Sequence, residues 1–249
     1  MELLEEGWKT IKRMPRLVVG YILWWLLITV VYRVCSEAAR SLEGGNASAV
    51  ALLRLGGLVA LAASGAVLQS IYFAAIGREV DKPLWKCPAA GEAVRRFFLI
   101  WFLLILILLT TEQFMSIAAE RGDEQAFAAL LPIYIFLSAI YFPIAACIMF
   151  WGRLNWQELG EALLPMLREM SNVILVMFIM FVNIMLQITV PAAFAPLLDS
   201  ETPLAPQNLL LPALLSIPSG LLDCLSFVIM FRICMIHRTT DYDSDDFDF

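Results

Sequence analysis

The sequence predicts an all-α polytopic membrane protein, with six transmembrane helices arranged as three hairpins and each hairpin entered through an amphipathic interfacial segment. Two observations carry this. The 249 residues are 61% hydrophobic and 16% charged, with a mean hydropathy of +0.79, whereas soluble domains are about half apolar and a quarter charged. Apolar stretches of the roughly 17 to 25 residues that cross a bilayer occur six times, at 17–34, 53–76, 97–114, 128–151, 172–193 and 209–231. Residues 1–238 therefore read as a six-span bundle and 239–249 as a separate tail.

The first span, LVVGYILWWLLITVVY, follows the basic run WKTIKRMPR. No small-residue cleavage pattern comes after it, so it reads as a retained anchor. In the second span Gly56, Ala60 and Ser64 recur every four residues. Small side chains let helix backbones approach closely in lipid, which predicts helix packing through these three and a central place for the span. The third carries Glu112 and Gln113 near its outer end, the fourth Pro132 and Pro143, and the fifth Asn183 and Gln187 on one face. In the sixth, Pro212, Pro218 and Gly220 remove or weaken backbone support. A kinked start, or a short broken segment, is expected there.

A Trp-led polar segment precedes each odd-numbered span: GWKTIKRMPRLVVGY with Trp8, LWKCPAAGEAVRRFFLIW with Trp85, and NWQELGEALLPMLREMSNVILV with Trp156. In the last, Leu159, Ala162, Leu163, Met166, Leu167 and Met170 follow helical spacing with polar residues between them, the pattern of a helix lying among lipid headgroups. Tryptophan favours that depth, so the three are read as interfacial anchors.

Basic residues near span ends stay on the cytoplasmic side. With the N-terminus inside, 13 of the 17 Lys and Arg fall on cytoplasmic segments, leaving Arg33, Arg40, Arg54 and Arg121 outside. Both termini are thus expected in the cytoplasm, and the membrane is expected to be the bacterial inner one. The net charge of −6 arises largely from the tail DYDSDDFDF. That charge density predicts a disordered, solvated tail, with docking of a basic partner as its functional alternative; nothing suggests nucleic acid. Five dispersed cysteines give no disulfide framework. NAS at 46–48 matches a glycosylation sequon in an outside loop.

Asp223 is the residue that composition alone does not explain, since it falls near the midplane of the sixth span. An acid there costs about 2.5 to 3.5 kcal/mol on insertion scales and should face the bundle interior. Asn183 lies at similar depth in the fifth span, with Gln187 one turn nearer the outside, and Gln69 in the inner half of the second. The four form a candidate intramembrane polar site, in which a protonated Asp223 would donate to the Asn183 oxygen. Interhelical glue and a proton or substrate site are both consistent with this set. His237, the single histidine, lies beyond the last span, so no haem, zinc site or Ser/His pair is expected. No phosphate loop is present either.

The Trp-led segments, the proline-bearing fourth and sixth spans and the ending FVIMFRICMIHR together resemble the six-span membrane domain of bacterial glycerophosphodiester phosphodiesterases and their stand-alone relatives of unknown function. The resemblance spans nearly the whole chain in architecture and implies a membrane-domain fold. The soluble catalytic domain of those enzymes has no counterpart here, so no catalytic residue carries over. The sequence is therefore read as a non-enzymatic accessory or scaffold protein that engages membrane lipids or a membrane-protein partner, without cofactor or metal. The alternative is a small transporter or permease subunit with Asp223 at its polar site; an intramembrane enzyme, needing a second acid such as Glu112, comes third.

Overall fold

Among the described residues, six of the eight helices in the computed structural model are long and apolar enough to cross a membrane. The structure describes residues 2–41, 47–80, 90–151, 156–194 and 206–245. In chain order the helices are α1 (Glu2–Arg13), α2 (Pro15–Ser41), α3 (Ala47–Val80), α4 (Ala90–Glu120), α5 (Glu124–Trp151), α6 (Trp156–Arg168), α7 (Met170–Phe194) and α8 (Pro206–Asp245). The apolar spans lie within α2, α3, α4, α5, α7 and α8. Each overlaps the stretch expected from the sequence, and the sixth extends to His237, which is buried rather than beyond the span. Below, the end bearing Arg16, Arg78, Arg95, Arg96, Arg168 and Arg232 is called the basic end, and the opposite one the far end.

The spanning helices are apolar on both faces. On α2, Val18, Tyr21 and Ile22 are buried while Val19, Leu23, Leu27 and Val31 point outward. That is the arrangement expected of helices surrounded by lipid, where an outward apolar side chain carries no penalty. The sequence-adjacent pairs α2–α3, α4–α5 and α7–α8 are all in contact, as three hairpins require, and α3 also lies along α4 over its most extensive interface.

The centre is α8, not α3. Helices α1, α2, α3, α5 and α7 all pack on α8, and 67% of its apolar window is buried, against 61% in α5, 50% in α3 and 17% in α2. The small-residue stripe is displaced accordingly: Gly56, Ala60 and Ser64 are exposed, and a Cβ on Gly56 would meet nothing within 4 Å. Packing on α3 runs instead through the neighbouring face, with Ala62, Gly65 and Ala66 buried and Gly65 set against Trp25 and Ile105. A shift of register by two residues changes the face of a helix, and periodicity in small residues alone does not say which face wins.

Helix α8 is continuous across Pro212, Pro218 and Gly220, so of the kinked or broken start expected there the broken segment is absent. Gly220 serves contact rather than bending: a Cβ there would come within 2.7 Å of Ile22 Cγ1, so its absence is what lets α2 lie against α8. The helix also continues through Asp245, where a disordered tail was expected. Extending an established helix costs far less than starting one, and nothing between Gly220 and Asp245 is a glycine or proline.

Two of the three lead-ins are separate helices, α1 and α6. Residues 90–96 of the other continue directly into α4, while Trp85, Cys87 and Asn46 lie outside the described residues. Trp156 opens α6. On α1, Gly7, Thr10 and Ile11 are buried while Trp8 is exposed beneath the Lys12 ammonium. Gly7 sits where a Cβ would come within 2.9 Å of Ile229. Glu6 and Thr10 together hold Arg232 of α8, so α1 is fastened to α8 as well as packed on it.

Candidate functional site

Asp223 is buried in the bundle, 6% exposed, and receives a hydrogen bond on each carboxyl oxygen. The Tyr21 hydroxyl of α2 donates to Oδ2 at 3.1 Å, and Asn183 Nδ2 of α7 donates to Oδ1 at 2.9 Å. The close approach at Gly220 positions Tyr21, because Ile22 and Tyr21 fill the space a side chain there would take. One turn further along α7, Gln187 Nε2 donates to Asn183 Oδ1 at 3.3 Å and to Ser219 Oγ of α8 at 3.0 Å. On the other side, Tyr141 of α5 donates to Gln69 Oε1 of α3, and Gln69 lies beside the Tyr21 hydroxyl.

All four side chains singled out in the sequence therefore belong to one network, with Gln69 joined to Asp223 through Tyr21. Tyr21, Tyr141 and Ser219 are additions that sequence reading passed over. The two tyrosines sit in apolar runs and look like core aromatics; only the rule that a buried phenol needs a partner could have flagged them. Ser219 had a plainer signal, since it precedes Asp223 by four residues and shares its face.

The direction of the hydrogen bonds corrects one expectation. Asn183 donates to the acid instead of accepting from it, because its oxygen is taken up by Gln187. Tyr21 and Asn183 both point donors at Asp223, and the bonds further out also run toward it. Such convergence suits a carboxylate, whose lone pairs make charge-assisted bonds roughly twice as strong as neutral ones.

Toward the basic end the network meets a layer of aromatic rings. Phe227, four residues beyond Asp223, stacks on Phe73, four beyond Gln69, with centroids 4.4 Å apart. Phe73 also touches Tyr21, Trp101 and Phe142, and Phe227 leads through Phe231 to Phe150. Toward the far end no such ring layer occurs among the described residues: Gln187 is exposed, three residues or about 5 Å from the end of the α7 window at Val190. The site is closed by rings on one side and ends in an exposed amide on the other.

Elsewhere, Thr29, Ser70, Thr111 and Thr189 return their hydroxyls to the carbonyl four residues back at 2.7–2.9 Å, the usual way a hydroxyl is satisfied in a spanning helix. Ser226 Oγ, fully buried one turn past Asp223, makes no hydrogen bond. Glu112 is exposed near Tyr32, Arg54 and Tyr134. Tyr32 lies eleven residues along α2 from Tyr21, about 16 Å, so Glu112 is not a second acid for Asp223. Cys147 and Cys234 approach at Sγ···Sγ 3.5 Å between α5 and α8. Among the described residues no group of three or more His, Cys, Asp and Glu side chains could hold a metal.

No protein-family model, characterised protein or solved structure matches the chain. The likeness to the phosphodiesterase membrane domain thus rests on architecture alone.

Proposed function

We propose that the protein is a small transport component, a permease or permease subunit, that recognises its substrate or coupling ion at Asp223. The observation that carries this is an acid inside the bundle held by donors from two helices and linked to an exposed amide near the far end. Ionisable groups at membrane depth are costly and mark ion or substrate pathways. The aromatic layer supports the same reading, since a carrier needs one side closed while the other is open. By the basic-residue rule the basic end lies in the cytoplasm, which puts Gln187 toward the extracytoplasmic surface of a bacterial inner membrane.

The test is flux in vesicles reconstituted with the full chain, screened by current and by radiolabel against alkali and divalent cations, amino acids and sugars. Wild type should move at least one of these, and Asp223→Asn should abolish that flux while the protein elutes as a monodisperse species. No flux for any class, or equal flux in the variant, rejects the reading.

A second reading, an accessory protein docked to lipids or to a membrane partner, is favoured by different parts of the molecule. The second half of α1 exposes Lys9, Lys12 and Arg13 beside Trp8, and α8 extends beyond its apolar window into an acidic segment.

A further inference from the structure

We propose that the species bound at Asp223 is a proton, exchanged at the Gln187–Ser219 edge between α7 and α8, with the Tyr21 hydroxyl turning between Asp223 and Gln69 as the proton arrives and leaves. This deepens the transport reading and takes its physiological purpose from it. A solute has no room at the acid, because both carboxyl oxygens already have protein partners at 2.9 and 3.1 Å and the residue is 6% exposed. A proton needs no cavity.

The groups around the acid fit that ligand. Facing Asp223, the titratable neighbours are Tyr21 from α2, Tyr141 from α5 and Cys224 beside it on α8. From α3 and α7 come the neutral amides of Gln69, Asn183 and Gln187. The Glu6–Arg232 pair lies where α1 crosses α8, nine residues along from the acid. No cation is therefore placed to hold Asp223 permanently charged among the groups that contact it. Ser219, one turn before Asp223 on α8, accepts from Gln187, whose amide also reaches Asn183, the donor to Asp223.

The balance of the step is simple. A proton from water at the exposed edge ends on Asp223 Oδ2 as a new O–H bond. Tyr21 keeps its own proton and must cease donating to that oxygen; it accepts from the acid and turns its hydroxyl to Gln69 Oε1. That oxygen already accepts from Tyr141, and a carbonyl has a second lone pair for Tyr21. Loss of the proton reverses that rotation. The unpartnered Ser226 hydroxyl, three residues past the acid on the same face, gives the next polar stop toward the aromatic layer.

Infrared difference spectroscopy of the full chain in lipid vesicles, stepped between alkaline and mildly acidic buffer, reads this directly. A protonated-carboxyl band should appear on acidification, vanish in Asp223→Asn and shift in frequency in Tyr21→Phe. Gln187→Leu should slow its appearance several-fold without moving it. A band unchanged by Asp223→Asn, or no band at all, overturns the proposal; should Asp223→Asn not fold, an unshifted band in Tyr21→Phe does the same. The result is separable from the transport reading: a titrating Asp223 in a protein that moves nothing leaves proton binding standing and transport rejected. Flux of a solute with a silent Asp223 means the reverse.

Discussion

At the scale of single residues, the contact between Tyr21 and Asp223 depends on a missing side chain. Gly220 lets Ile22 and Tyr21 lie against α8, and a Cβ there would stand 2.7 Å from Ile22 Cγ1. Gly220→Val should therefore cost about 1 to 3 kcal/mol, the usual range for overpacking, and lower the thermal unfolding midpoint in detergent. Gly56→Ala, facing open space, should change it by no more than about 0.5 kcal/mol. Equal effects at the two glycines would remove the argument for close approach. The contrast also shows what the sequence could and could not reveal. Asp223, Asn183, Gln187 and Gln69 were legible because a polar side chain in hydrocarbon must find a partner. Tyr21 and Tyr141 were not, since an aromatic ring belongs in a core whether or not its hydroxyl is employed.

At the scale of helices, periodicity located the spans and the amphipathic character of α1 and α6, because length and apolar spacing are local properties. It did not give the packing face of α3, the unbroken course of α8 or the helical state of 239–245, each decided by neighbours or by continuation of an existing helix. Helix α1 shows the difference well. Its amphipathic pattern is plain in the sequence, but its site of attachment is not, and that site is the Arg232 guanidinium with Glu6 and Thr10 on it. Glu6→Ala should loosen α1, by up to about 1 kcal/mol for a half-exposed pair. Faster hydrogen exchange across residues 2–13, with the α3 core unchanged, is the expected signature, and unaltered exchange in α1 would count against the clasp. The Lys9 ammonium meanwhile holds the Glu5 carboxyl below the usual carboxylate range. Its support for α1 is present above that range and fades as the pH falls and the acid protonates.

At the scale of the whole molecule, α8 is about 60 Å long, twice the thickness of the hydrocarbon core, so its acidic end projects past the basic end. There the transport and accessory readings part. If the projecting segment docks a partner, removing residues 241–249 should strip a co-purifying protein from the full chain in mild detergent and leave flux untouched. An identical set of partners after the deletion would leave the accessory reading without its best support. The central position of α8 has another consequence, for the order in which the protein is made. Tyr21 and its acceptor are separated by 202 positions in the chain, and α1, which comes before all six spans in chain order, packs on α8, which comes after the other five. Until that helix arrives, the phenol of Tyr21 and the amide of Asn183 wait in the bilayer without the acid they serve. A nascent chain stalled before α8 thus presents two polar donors, one on α2 and one on α7, without the acceptor they meet in the finished protein, a difference that membrane proteases and chaperones can read.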